Sequence, residues 1–135
     1  MTTLVLLLAM AAGDGVKYLP AKDVAAAMEK NPPSPMIDTG NYKVMGLHRT
    51  SAGQSEVHDK DTDVFYVIEG SATFVTGGKL VAGKTTAPGE TRGTSIDGGQ
   101  SRHLSKGDVI TIPKGTPHWF QKVDGSVTYF VVKVR

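Results

Sequence analysis

Glu56, His58, Asp63 and His118 are the residues of this sequence best suited to chemistry. They offer imidazole and carboxylate donors, and the chain has no cysteine, so any metal must be held by nitrogen and oxygen. Extended backbone sends successive side chains to opposite faces. That alternation puts Glu56 and His58 on one face, Asp63, Phe65 and Val67 on one face of the next strand, and His118, Phe120 and Lys122 on one face of a later strand. Pointed into an interior lined by valine and phenylalanine, each polar group left unpaired would cost roughly 2–7 kcal/mol. A bound cation removes that cost.

Other chemistry-bearing residues are placed less tellingly. His48 and Arg49 precede the cluster, and either can face a cavity. Lys122 shares the parity of His118 and would suit a substrate carboxylate, whereas Tyr66 alternates away from Asp63 and His103 precedes a turn. The expected substrate pocket is therefore Phe65, Val67, Phe120, Lys122 and His48, with Ile110 and Ile112 completing a dry wall. Two patterns are decoys. Residues 78–85 spell the phosphate-loop pattern, but Thr86-Ala87-Pro88-Gly89 follows where that chemistry needs a helix N-terminus. Residues 59–63 resemble the opening of a calcium loop, yet Val64 and Gly70 stand where an EF-hand needs glycine and glutamate. No serine sits in a nucleophile elbow.

The elements that must position these residues are short strands. Sixteen glycines and seven prolines punctuate 135 residues, which favours turns over long helices. Residues 20–30, with Ala25, Ala26 and Ala27, read as a short helix stopped by Asn31-Pro32-Pro33-Ser34-Pro35. Strands are expected over 42–50, 63–68, 72–76, 109–112, 118–123 and 127–134, each rich in valine, isoleucine, threonine or aromatics. Glycine turns separate them, among them Gly70, Gly98-Gly99 and Asp124-Gly125. Residues 76–105 are polar and glycine-rich, suiting an extended hairpin or ordered loop at a barrel mouth. The expectation is an all-β antiparallel barrel over residues 41–135, with residues 1–40 forming an apolar segment and a helix that packs on it.

A formal charge of +2 with 7% aromatic residues gives no phosphate-tracking stripe, so nucleic acid is not an expected partner. The apolar run 4–12 is too short to span a bilayer. It ends in a small-x-small pattern without a preceding lysine or arginine, so a signal-sequence remnant with periplasmic or secreted location, or a structural strand in a cytoplasmic protein, both stand.

Spacing brings a family resemblance. The segment Gly107-Asp108-Val109-Ile110-Thr111-Ile112-Pro113-Lys114-Gly115-Thr116-Pro117-His118 resembles the second motif of the cupin superfamily, G(X)5PXG(X)2H(X)3N, in register throughout, with Lys122 in place of the last Asn. Counting back from Gly70, the first motif, G(X)5HXH(X)3-4E(X)6G, is recognisable but altered: Asp63 takes the glutamate position, His58 the second histidine, Glu56 the first and Thr50 the leading glycine. The resemblance implies a double-stranded β-helix, or jelly roll, and one divalent metal held by His58, Asp63, His118 and Glu56. Such a set suits iron, manganese or zinc. It also allows a metal-free barrel in which Glu56 pairs with Lys60 or Lys122. Cupins span oxygenases, lyases, isomerases and binding modules, so the implied function is a small-molecule metalloenzyme acting on a carboxylate-bearing or enolisable substrate, or a non-catalytic ligand-binding module. Their habit of pairing through barrel edges and N-terminal strands implies a homodimer.

Overall fold

The computed structural model describes residues 15–135; the apolar run 4–12 lies outside them. The helix forms as α1, Ala21–Met28, and eleven strands follow. These are β1 Ile37–Asp38, β2 Tyr42–Arg49, β3 Ser55–His58, β4 Thr62–Thr76, β5 Lys79–Val81, β6 Lys84–Ala87, β7 Glu90–Gly93, β8 Ser95–Asp97, β9 Gln100–Ser105, β10 Val109–Ile112 and β11 His118–Val134. All pairings are antiparallel. The outcome is the all-β jelly-roll barrel that the turn pattern and the motif spacing anticipate.

Two strands dominate. β4 runs for 15 residues and β11 for 17, and they pair along nearly their whole lengths. Each was expected as two strands broken at Gly70 and at Asp124-Gly125. The chain instead passes through both points as irregularities in one ladder, with register shifts between Val123 and Val127. An extra residue in one strand bends the sheet without ending it, which is how a long strand curves around a barrel. Gly70 is needed there: its φ is +79°, and a Cβ would fall 1.9 Å from the Ser126 carbonyl oxygen.

β11 organises the sheet. It pairs β2 through residues 127–134, β4 throughout, and β3 at its first residue, where His118 lies opposite Glu56. Residues 76–105 hold five strands, more order than a single hairpin. Of these, β7 pairs β3 so that Arg92 faces Glu56 and Glu90 faces His58 across the ladder. The phosphate-loop look-alike forms β5, a turn and the start of β6, with no helix.

Inward residues of these strands make one core: Phe65, Val67, Ala72, Phe74, Leu104, Ile112, Phe120, Val127, Tyr129 and Val131. Phe65 and Phe120 lie with ring planes 5° apart at 5.9 Å, and Phe74 tilts against both. Each buried aromatic contributes about 2–3 kcal/mol by area alone. This apolar floor closes the barrel beneath the polar cluster. Outside, α1 lies against β2, where a Cβ on Gly46 would meet the Met28 sulfur at 1.7 Å.

Candidate metal centre

Glu56 and His58 stand on β3, Asp63 is the second residue of β4 and His118 starts β11, so three strands bring the four residues to one place. Asp63 and His118 are each 2% exposed and His58 is 5% exposed. His118 Nε2 lies 3.4 Å from a Glu56 carboxylate oxygen and 3.7 Å from one of Asp63, while His58 Nε2 lies 3.8 Å and 3.4 Å from the same two groups. Donor atoms of Glu56, His58 and His118 all fall within 4.8 Å of one another, a spacing one ion can bridge.

The turn after β10 sets both histidines. Gly115, at φ +80°, donates its N–H to the His58 carbonyl at 2.7 Å, and His118 Nδ1 donates to the Thr116 carbonyl at 3.0 Å. That bond puts the imidazole proton on Nδ1 and leaves a lone pair on Nε2, which is buried and has no hydrogen-bond partner. An orphaned buried acceptor costs about 1–3 kcal/mol. His58 is held in the same way, its Nδ1 bonded to a carboxylate oxygen of Glu90. Histidine metal ligands commonly have this outer partner, which fixes the tautomer and aims the second nitrogen. The donor set and the orphaned nitrogen therefore fit a divalent ion.

Asp63 is differently engaged. Both of its oxygens accept hydrogen bonds from Lys133 Nζ, at 2.9 and 3.0 Å, and the same ammonium lies 3.3 Å from His58 Nε2. Lys133 is the ladder partner of Asp63, so the pair follows from strand register. The electrostatics follow these contacts. Burial works to raise the Glu56 carboxyl, but the adjoining His118 ring, with the charges of His58 and Arg92, holds it down at about 2. Burial likewise opposes ionisation of Asp63, and His58 and Lys133 overcome it and lower its pKa. Burial and Lys133 pull His58 down, yet the Asp63 hydrogen bond and the charges of Asp63 and Glu56 leave it raised.

These residues open onto a cavity of about 540 Å³ that reaches Lys43, Met45, Leu47 and Arg49 on β2, Phe65 on β4, Glu90 and Arg92 on β7, and Tyr129, Val131 and Lys133 on β11. Of the expected pocket residues, Phe65 lines it and Val67 and Phe120 lie in the core. Lys122 does not join them. Gln121 is an extra residue between the Phe120–Phe74 and Lys122–Thr73 pairs, so the alternation flips and Lys122 points outward toward Asp124 at 3.9 Å. His48 also faces out, bonded to Thr128 Oγ1 at 2.8 Å, and its neighbour Arg49 takes the inward position. Lys60 and Lys122, the expected alternative partners of Glu56, give way to Arg92 at 3.3 Å. Tyr66 and His103 are exposed, as their parity and turn position suggest. Sequence reasoning missed Lys133, Glu90 and Arg92 as site residues. The signal for Lys133 was present in the alternation of Tyr129, Val131 and Lys133, whereas Glu90 and Arg92 depend on a strand pairing that composition does not reveal.

A family profile described as Cupin matches residues 46–135. No curated protein matches the chain. Among solved structures, DMSP lyase DddQ from Ruegeria pomeroyi DSS-3 is similar with a TM-score of 0.51 at 15% identity, over 72% of this chain and 40% of that one. Pac13 from Streptomyces, described as a nucleoside dehydratase, gives a TM-score of 0.51 at 15% identity over 73% of this chain and 63% of that one. An RmlC-like cupin protein, mj0764 from Methanocaldococcus jannaschii, gives 0.52 at 12% identity over 74% and 75%. At such identities the likeness is one of fold. The chain spans less than two thirds of the length of the first two.

Proposed function

This chain belongs to the cupin family, and we propose that it is a metal-dependent small-molecule enzyme of the oxygenase, lyase or isomerase type, acting on a carboxylate-bearing or enolisable substrate. The observation that carries this reading is the buried, unpartnered lone pair of His118 Nε2, which converges with His58 Nε2 and the Glu56 carboxylate. In this reading Glu56, His58 and His118 hold one divalent ion, with Asp63 beside it. Two histidines and one carboxylate suit iron(II), manganese(II) or zinc. Such an ion supplies Lewis acidity toward a substrate carboxylate or enolate. The chain's own residues do the remaining work. Glu90 and the Thr116 carbonyl fix the imidazoles, and Phe65, Leu47 and Val131 keep the inner wall dry. Lys133 keeps Asp63 ionised next to the reacting space.

The second reading is a non-catalytic module for a small ligand, with or without metal. Lys133 favours it, since its ammonium already balances Asp63 and reaches His58 without any ion. Elemental analysis of protein purified without chelator, followed by a substrate screen that includes oxygen consumption, separates the two. Stoichiometric iron, manganese or zinc with turnover supports the enzyme, and metal without turnover supports the binder. Absence of metal, with a melting temperature unmoved by added iron, manganese or zinc, ends the metal reading. We further propose a homodimer, tested by sedimentation or light scattering. Among the described residues no helix is long and apolar enough to cross a membrane.

A further inference from the structure

Five cationic side chains line the cavity: Lys43, Arg49, Arg92, Lys133 and Arg135. Four have a carboxylate partner. Lys43 pairs with Asp38, Arg92 with Glu56, Lys133 with Asp63 and Arg135 with Asp61. Arg49 has none among the described residues, yet it is held in place. Its Nε donates to the Tyr129 hydroxyl at 2.8 Å, and its guanidinium carbon sits 5.0 Å from the centre of the Phe120 ring. The fork also lies close against Gly53, where a Cβ would come within 2.8 Å of Nη1. Gly53 cannot withdraw, because its N–H donates to the Phe120 carbonyl and its own carbonyl accepts the Trp119 indole N–H.

A guanidinium fixed through Nε and one face keeps its terminal N–H groups for a ligand, and their planar arrangement matches a carboxylate. Tyr129 adds to this. Its oxygen accepts from Arg49, but its own proton has no acceptor among the described residues. We propose that Arg49 is the anion anchor of the cavity: it takes one carboxylate of the small-molecule ligand, with the Tyr129 hydroxyl as a further donor. The inference rests on the cavity being a small-molecule site and not on the metal, since the contacts that hold Arg49 are to Tyr129, Phe120 and Gly53.

The test uses benzoate and its neutral isostere benzamide, titrated by NMR into the full chain stripped of metal and freed of chelator, and again in the presence of zinc. The wild type should bind benzoate at least about 10-fold more tightly than benzamide, as expected for a charged hydrogen bond inside a cavity. Arg49→Gln should remove that preference. Gly53→Ala changes no charge but pushes the fork aside, and should reduce the preference with zinc uptake unchanged. Equal binding of the two probes by the wild type, which depends on no variant folding, overturns the proposal. So does an Arg49→Gln protein that folds and keeps the preference. A benzoate preference without any zinc uptake supports the anchor while ending the metal reading, so the two fail separately.

Discussion

The two sides of the polar cluster solve the same electrostatic problem by opposite means. On one side, Glu56, His58 and His118 gather lone pairs and negative charge around a point, and His118 Nε2 has no proton to accept. On the other, Asp63 has an ammonium built into the fold, with both oxygens bonded to Lys133. Burying a carboxylate requires a cation, and here the chain gives Asp63 a largely buried ammonium, whereas Glu56 has only the half-exposed Arg92 and the His118 lone pair has no donor. A cupin whose glutamate has become aspartate would thus draw its metal carboxylate from Glu56, with Asp63 held aside by lysine.

The comparison breaks first at Lys133. Lys133→Met leaves Asp63 buried without its partner and should destabilise the metal-free protein by about 3–5 kcal/mol, measured by urea unfolding. In the same variant Asp63 becomes free to serve an ion, so added manganese or zinc should raise the melting temperature more than in the wild type. A loss below about 1 kcal/mol would show that the pair is not what neutralises that side. The next effect is on the other side. His118→Ala removes the orphaned lone pair and should weaken zinc or manganese binding at least about 100-fold, about 2.7 kcal/mol, by calorimetric titration. An unchanged affinity would place any ion elsewhere.

A smaller change separates aiming from ligation. Glu90→Gln keeps an oxygen near His58 Nδ1 but removes its charge, and should lower metal affinity about 10-fold. Glu90 is partly exposed, so stability should move by less than about 1 kcal/mol. A stability loss as large as that of Lys133→Met would mean that Glu90 holds the fold and not the imidazole.

What could be read from the sequence divides along the same lines. Glu56, His58, Asp63 and His118 were legible because alternation within short strands and the intact turn from Gly107 to His118 are local features. Lys133 lies 70 residues from Asp63 and meets it only through the β4–β11 register, which no local pattern fixes. Arg49 and His48 were interchangeable until β2 was seen to turn its odd-numbered residues inward. Lys122 had the right parity and lost it to one extra residue, Gln121, a case where a single bulge reverses every inference drawn from period two. The same physics misplaces strand ends: glycine marks both turns and bulges, so Gly70 and Gly125 read as stops in strands that continue.

The subtlest difference between the two sides is in pH dependence. Metal-free, His58 has a raised pKa, so the stability it contributes is fully present below its ordinary value of 6.5 and is lost as pH rises through the raised value. Asp63 behaves in the opposite sense: its lowered pKa gives stability above the ordinary 3.8 that is lost as pH falls through the folded value. An ion on the histidine side needs neutral imidazole and so competes with that proton. Added manganese or zinc should therefore raise the melting temperature more at pH 8 than at pH 6, even as the metal-free protein loses the His58 contribution over the same interval. Replacing His58 with Gln should flatten both trends between those values while leaving the acid limb set by Asp63 in place. Parallel curves with and without metal across that range would mean that no ion competes with the His58 proton, and that both sides of the cluster are neutralised by protein groups alone.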